Sequence, residues 1–273
     1  MMGDWGLTWN AQEDTVADDQ AVSAGTVLTA SASTNTKGAW AQLVAATPID
    51  AHAIAVIIRT NTADQMMDIA VGPAGQEHVI VPNLITGDDG KSGSRPIFYL
   101  PISIPKGSRL SGRNQSTTGG AAQSLIVMLM NHGSGASPPM GRITDYGTAV
   151  ADSGGTGVDP GATLNTKNSW AELVAATSWP IRALVMAIGN QNNSARTTAT
   201  WLLDIAVGAA GQEHAIIPDI ILSANSSGDL MQPPVLGPFP VAIPSGSRIA
   251  ARAQCNISDA TDRLFDVAVY GVN

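Results

Sequence analysis

The chain is written in short runs of alternating polarity. Near its end Phe265, Val267 and Val269 alternate with Asp266, Ala268 and Tyr270, and Leu184, Met186 and Ile188 alternate with Ala183, Val185 and Ala187. A period of two sends successive side chains to opposite faces of an extended segment, so each run predicts a half-buried strand. Gly and Pro punctuate these runs. Pro73-Ala74-Gly75 separates the run ending at Val71 from one starting near Glu77, and Pro105-Lys106-Gly107 precedes Arg109, with Pro where φ near −65° is wanted and Gly at the turn exit. Helical periodicity is nearly absent. One run, Leu125 to Met130, is apolar on both faces, whereas its counterpart is interrupted by Asp266. A sandwich sheet needs one apolar face only, so the surplus face, assigned to Leu125, Val127 and Leu129, is expected to dock on the other domain or another chain, with a covering loop of the same domain as the alternative.

The pattern occurs twice. Asn35-Thr36-Lys37, Trp40-Ala41 and Leu43 to Thr47 return as Asn165-Thr166-Lys167, Trp170-Ala171 and Leu173 to Thr177. Asp68 to Gly72 and Ala74 to His78 return as Asp204 to Gly208 and Ala210 to His214, and Ile104-Pro105-x-Gly107-Ser108-Arg109 returns as Ile243 to Arg248. The offset grows from 130 at Lys37/Lys167 to 136 at Asp68/Asp204 and 139 at Arg109/Arg248, as two copies of one domain separated by loop insertions would show. Each copy predicts about eight short strands at spacings of roughly 8 to 15 residues, which is an all-β architecture of two tandem, homologous, jelly-roll-like β-sandwiches. The expected boundaries are an N-terminal arm at 1–24, repeat 1 at 25–132, a Gly/Ser/Pro linker at 133–157 and repeat 2 at 158–273. Two Asn- and Ser-rich loops, 190–200 and 225–234, belong to the second copy alone.

Charge changes the picture by subtraction. Only 13% of the 273 residues are charged, with a net charge of −8 and a pI near 4.8. Such a surface lacks the basic patch needed to displace counterions from nucleic acid or anionic lipid, and no run of 18 apolar residues predicts membrane insertion. The first ten residues hold Asp4 and no apolar stretch, which predicts synthesis in a cytoplasm without a signal peptide. The single Cys255 aligns with Ser116 and reads as a small strand residue.

No G-x-S-x-G, H-E-x-x-H or P-loop spacing is present, so no catalytic residue, cofactor or metal ligand is assigned. The duplicated Gln76-Glu77-His78 and Gln212-Glu213-His214 place Glu and His on opposite faces of a strand, which favours a structural role. Arg109/Arg113 and Arg248/Arg252, four apart, share a face; pairing with the repeated Asp68 and Asp204 to pin the sheets together is expected, against the alternative of gripping an anionic glycan. Trp40 and Trp170 are expected in the core. Trp179 and Trp201, with Asn192 and Asn193, are the candidate glycan contacts, since they lie in or beside a loop unique to repeat 2; plain packing of the two tryptophans is the competing reading. Trp5 and Trp9, on an arm outside either sandwich, are expected to dock on a partner.

The pairing of D-I-A-V-G-x-A-G-Q-E (Asp68 to Glu77, Asp204 to Glu213) with I-P-x-G-S-R (Ile104 to Arg109, Ile243 to Arg248) resembles small virion proteins of tailed bacteriophages and phage-like gene transfer agents. The resemblance implies a non-catalytic virion protein assembled in the host cytoplasm, decorating a capsid or forming a spike or fibre base, with other virion proteins as partners. A homotrimer of such a chain would present six similar domains. A glycan-binding adhesion module for host surface polysaccharide and a double-jelly-roll capsid subunit are the alternatives.

Overall fold

The computed structural model describes residues 25–60, 64–86, 96–131, 141–191, 198–224, 231–258 and 264–273. Repeat 1 contributes β1 (Thr26–Thr29), β2 (Ala41–Val44), β3 (Ala53–Thr60), β4 (Gln65–Val71), β5 (His78–Ile85), β6 (Ile97–Leu100), β7 (Leu110–Ser116) and β8 (Ala122–Met130). These pair antiparallel into two four-stranded sheets of order β1-β8-β3-β6 and β2-β7-β4-β5, the eight-stranded jelly-roll arrangement. After β9 (Ile143–Tyr146) and β10 (Thr148–Ala149), repeat 2 supplies β11 (Gly154–Val158), β12 (Ala171–Val174), β13 (Ile181–Gln191), β14 (Ala199–Val207), β15 (His214–Ala224), β16 (Val235–Ile243), β17 (Ile249–Cys255) and β18 (Phe265–Val272). Their orders, β11-β18-β13-β16 and β12-β17-β14-β15, repeat the first set strand for strand. The described residues contain no helix.

Segment 133–157 is not all linker. Its described part, from 141 onward, carries β9, β10 and most of β11, and both β9 and β11 pair with β18 along one edge. Glycines disguised the strand: a Cβ on Gly155 would lie 3.0 Å from the Val267 backbone, so only the bare residue lets β11 approach β18.

Register parity decides which side chains enter each core. Ile54, Val56 and Ile58 of β3 lie opposite Leu129, Val127 and Leu125 of β8, and all six are buried inside repeat 1. Leu125, Val127 and Leu129 are therefore sandwich core and not the docking surface expected of them. The surplus apolar face is the alternate set, Ile126, Met128 and Met130, which is half-buried. Repeat 2 matches this core with Leu184, Met186 and Ile188 against Val267 and Val269. One end of the two cores differs in chemistry. Buried Gln65, Thr86, Asn114 and Gln123 of repeat 1 hold hydrogen bonds at the positions where repeat 2 has Trp201, Leu222, Ala253 and Phe265.

The repeats join unlike face to unlike face. The outward side chains of β13 and β18, Ala183, Val185, Ala187, Ala268, Tyr270 and Val272, merge with the core cluster of repeat 1. Against them stands the outer side of the β4–β5 edge: Ile85 is 3% exposed, and its N–H donates to the Tyr270 hydroxyl at 2.8 Å. That hydroxyl donates in turn to the Asn83 carbonyl at 2.9 Å, while the Tyr270 ring meets Phe98 edge-on with centroids 6.1 Å apart. Further along, Gln115 Nε2 donates to the Val150 carbonyl (2.8 Å) and to Ser153 Oγ (3.1 Å), and Ser153 donates to Asn35 Oδ1 (2.8 Å).

Candidate functional site

The residues most faithfully duplicated in the sequence build one polar cluster on the outer face of each β2-β7-β4-β5-type sheet. Gly72 and Gly208 take positive φ (122° and 125°), and a Cβ there would strike the carbonyl of Gln76 or Gln212 at 2.6 Å. This tight turn explains the D-I-A-V-G motif: it folds the chain so that Glu77 and Glu213 return beneath an arginine. Arg109 donates to Glu77 (3.1 Å), to the Gly72 carbonyl (3.1 Å) and to Gln42 (3.2 Å). Arg248 likewise donates to Glu213 (2.9 Å), the Gly208 carbonyl (3.4 Å) and Glu172 (2.6 Å).

Asp68 and Asp204 are each saturated by three donors. Asp68 Oδ1 accepts from Lys37 Nζ and the Asn83 N–H, both at 2.9 Å, and Oδ2 from Arg113 Nε at 2.8 Å. Asp204 Oδ1 accepts from Lys167 Nζ (2.6 Å) and the Asp219 N–H (2.9 Å), and Oδ2 from Arg252 Nε (3.0 Å). Asn83 and Asp219 take the left-handed conformation (φ 48° and 52°), an allowed exception for these side chains that turns each N–H onto the carboxylate. The guanidinium groups of Arg113 and Arg252 then lie over Trp40 and Trp170, 4.4 and 4.2 Å from the ring centroids.

These geometries revise several expectations. Asp68 and Asp204 pair with Arg113 and Arg252, while Arg109 and Arg248 take Glu77 and Glu213 instead. Asp68 and Arg113 are register partners on β4 and β7, so the pair pins neighbouring strands of one sheet and not the two sheets to each other. Trp40 and Trp170 are half-buried under arginine, not core. The lysines of the repeated Asn-Thr-Lys motif complete each cluster; their repetition beside the aspartates was the signal for it.

Electrostatics bind the clusters into their folded state. Burial, the largest single influence, pushes the Asp204 carboxyl up, but the Asp219 N–H, Lys167 and Arg252 outweigh it and hold the group below its ordinary value. Glu77 and Glu213 follow the same balance through backbone N–H groups and their arginines. Burial also draws Lys37 below its usual range, against the pull of Asp68. A carboxylate whose oxygens already accept three donors is poorly placed to take a proton from a substrate, so the clusters suit a structural task. Among the described residues no group of three or more His, Cys, Asp or Glu side chains is arranged to hold a metal ion.

The remaining candidates separate. Trp179 is 45% exposed, with Arg142 stacked 4.5 Å from its ring. Trp201 is 1% exposed and packs edge-on against Phe265 in the core, so it is no glycan contact: its strand parity with Leu203 and Ile205 turns it inward. Trp5, Trp9, Asn192 and Asn193 lie outside the described residues. The Tyr270 latch and the Ile85 edge were not foreseen, because nothing in a single apolar run tells which of its faces meets another domain.

No protein-family model matches the chain, and no curated protein matches it. Among solved structures, one of PNGF-II aligns with a TM-score of 0.37 at 9% identity, over 95% of this chain and 65% of that one. The chain thus spans just under two thirds of that protein's length, and a likeness this distant supports no functional conclusion.

Proposed function

We propose that the protein is a non-catalytic structural subunit of a bacteriophage-type virion, assembled in the host cytoplasm and serving in capsid decoration or at the base of a spike or fibre. The observation that carries this reading is how the duplicated residues are spent. Lys37, Arg109 and Arg113 of repeat 1, and Lys167, Arg248 and Arg252 of repeat 2, are committed with the buried carboxylates they pair with to holding strands in place, and both repeats offer an apolar outer sheet face, one of which is already used to bind another jelly roll. A scaffold with locked charges and adhesive faces suits assembly better than turnover. The strand order of both repeats also suits the double-jelly-roll capsid subunit named above, a narrower version of the same reading.

Density-gradient fractionation of lysates from cells producing the particles tests it. The chain is expected to band with intact particles in a fixed ratio to their major protein; finding it only among soluble proteins while particles form overturns the proposal. Adhesion to polysaccharide is the second reading, favoured by the exposed Trp179–Arg142 stack, an aromatic plate of the kind that meets sugar rings. Trp179→Ala is then expected to abolish retention on host polysaccharide without changing particle incorporation.

A further inference from the structure

The contact between the two repeats uses one surface from each, and among the described residues nothing fully covers the counterpart of either surface. On the receiving side, strand register makes Ile97, Ile126 and Met128 of repeat 1 the equivalents of Val235, Ala268 and Tyr270 of repeat 2. The repeat 2 set is packed into the inter-repeat cluster; in repeat 1, Ile97 is 53% exposed at the β6 edge of this face, Val27 is 55% exposed at its far β1 edge, and Ile126 and Met128 between them are half-buried. On the inserting side, register makes Leu202 and Ile221 of repeat 2 the equivalents of Met66 and Ile85 of repeat 1. Ile85 is 3% exposed against Tyr270, whereas Ile221 is 65% exposed, the most exposed large apolar side chain among the described residues.

The backbone on the inserting side is preserved as well as the side chains. Pro82-Asn83-Leu84-Ile85 and Pro218-Asp219-Ile220-Ile221 share the left-handed residue that turns each edge, and in both its N–H binds the cluster aspartate. An apolar residue on that edge is therefore held in the same attitude in both repeats, buried in one and bare in the other. Ile221 with Leu202 beside it thus repeats, uncovered, the apolar pair Met66 and Ile85 that repeat 1 buries, and this duplicated patch and not one exposed isoleucine is what points to a partner surface.

We infer that a second copy of this chain occupies the open face of repeat 1, seating its Ile221 edge there as Ile85 is seated against Tyr270 within one chain. The contact is heterologous, face to edge, so each copy offers one of each and association runs head to tail, closing into a ring or extending as a filament. This inference does not rest on the virion reading: the gradient experiment can fail while the isolated chain still associates, and the reverse.

The test is the solution mass of the purified full chain and of two variants, Ile97→Asp and Ile221→Asp, by light scattering after size exclusion. Both positions are more than half exposed, so thermal melts of the separate variants should match each other, which excludes misfolding. The wild-type chain is expected at a multiple of its 28.0 kDa mass, and each variant alone at 28.0 kDa. An equimolar mixture of the two variants should form a one-to-one dimer, because the intact edge of one still fits the intact face of the other. A wild-type monomer, a variant that keeps the wild-type mass, or a mixture that stays monomeric overturns the inference. So does a wild-type monomer that associates only after removal of residues 1–24, since the arm would then be the occupant.

Discussion

At Asp266 a carboxyl group stands at the end of the apolar face that repeat 2 presents to repeat 1. Burial, reinforced by the charges of Asp64 and Asp152 and opposed by the Gly155 N–H, pushes it up to about 6. The folded protein therefore binds more protons at this position than the unfolded chain between pH ~4 and ~6, and its contribution to stability falls as pH rises through that window. At pH 7 ionised Asp266 costs on the order of 2–3 kcal/mol. Asp266→Asn keeps an acceptor for Gly155 and removes the charge, so urea denaturation should show the variant more stable than wild type at pH 7 and nearly equal to it at pH 4. Asp204 has the opposite sign. Its lowered folded value means stability that is present above the ordinary carboxylate range and is lost as pH falls through the folded value. Asp204→Asn strands Lys167 and Arg252 beside a weakened acceptor; a loss of about 2–4 kcal/mol at pH 7, shrinking toward acid, is the expected denaturation result.

At the level of strands, the jelly-roll count and the two cores were legible because period-two alternation and the internal repeat constrain each other. What alternation alone could not settle was parity. Leu125 to Met130 is apolar at every position, so the pattern marks a strand covered on both sides without telling its inner face from its outer one; only pairing with Ile54, Val56 and Ile58 does that. Trp201 raises the same question of parity: its place in β14, in phase with Leu203 and Ile205, and not its nearness to a loop, sets its direction. The strands within 133–157 resemble linker in sequence because β11 replaces side chains with close backbone approach, removing the signal by which strands are recognised. Sequence spacing puts Arg109 and Arg248 on a face shared with Arg113 and Arg252 but does not reveal the path of the turn at Gly72 or Gly208, which brings them Glu77 and Glu213 as partners in place of the aspartates. The turn itself is testable: Gly72→Ala demands a strained φ of 122° and a collision with the Gln76 carbonyl, and should lower the melting temperature several-fold more than Gly75→Ala, where φ is also positive, at 81°, but a Cβ meets open space.

For the molecule as a whole, the decisive contact is the one between the two jelly rolls, centred on Tyr270. Tyr270 is wholly buried, and burial pushes its phenol well above the ordinary value, so it stays a neutral hydroxyl that accepts from Ile85 N–H and donates to the Asn83 carbonyl. Tyr270→Phe keeps the ring against Phe98 but leaves the Ile85 N–H buried without its acceptor, at a cost of about 1–3 kcal/mol. Tyr270→Asp would place a charge among Ala183, Val185 and Ala268, where neither solvent nor a cation compensates it, and should separate the repeats. Calorimetry distinguishes the two effects. Wild type is expected to unfold in a single transition, Tyr270→Phe in a single transition at lower temperature, and Tyr270→Asp in two. The later of those two should belong to repeat 2, whose core end is filled by Trp201, Leu222 and Phe265 where repeat 1 buries Gln65, Thr86 and Gln123, because apolar contact stabilises such a site without the desolvation that buried amides must first offset. Two transitions in the wild-type protein would show instead that the Tyr270 latch joins the repeats without coupling their unfolding.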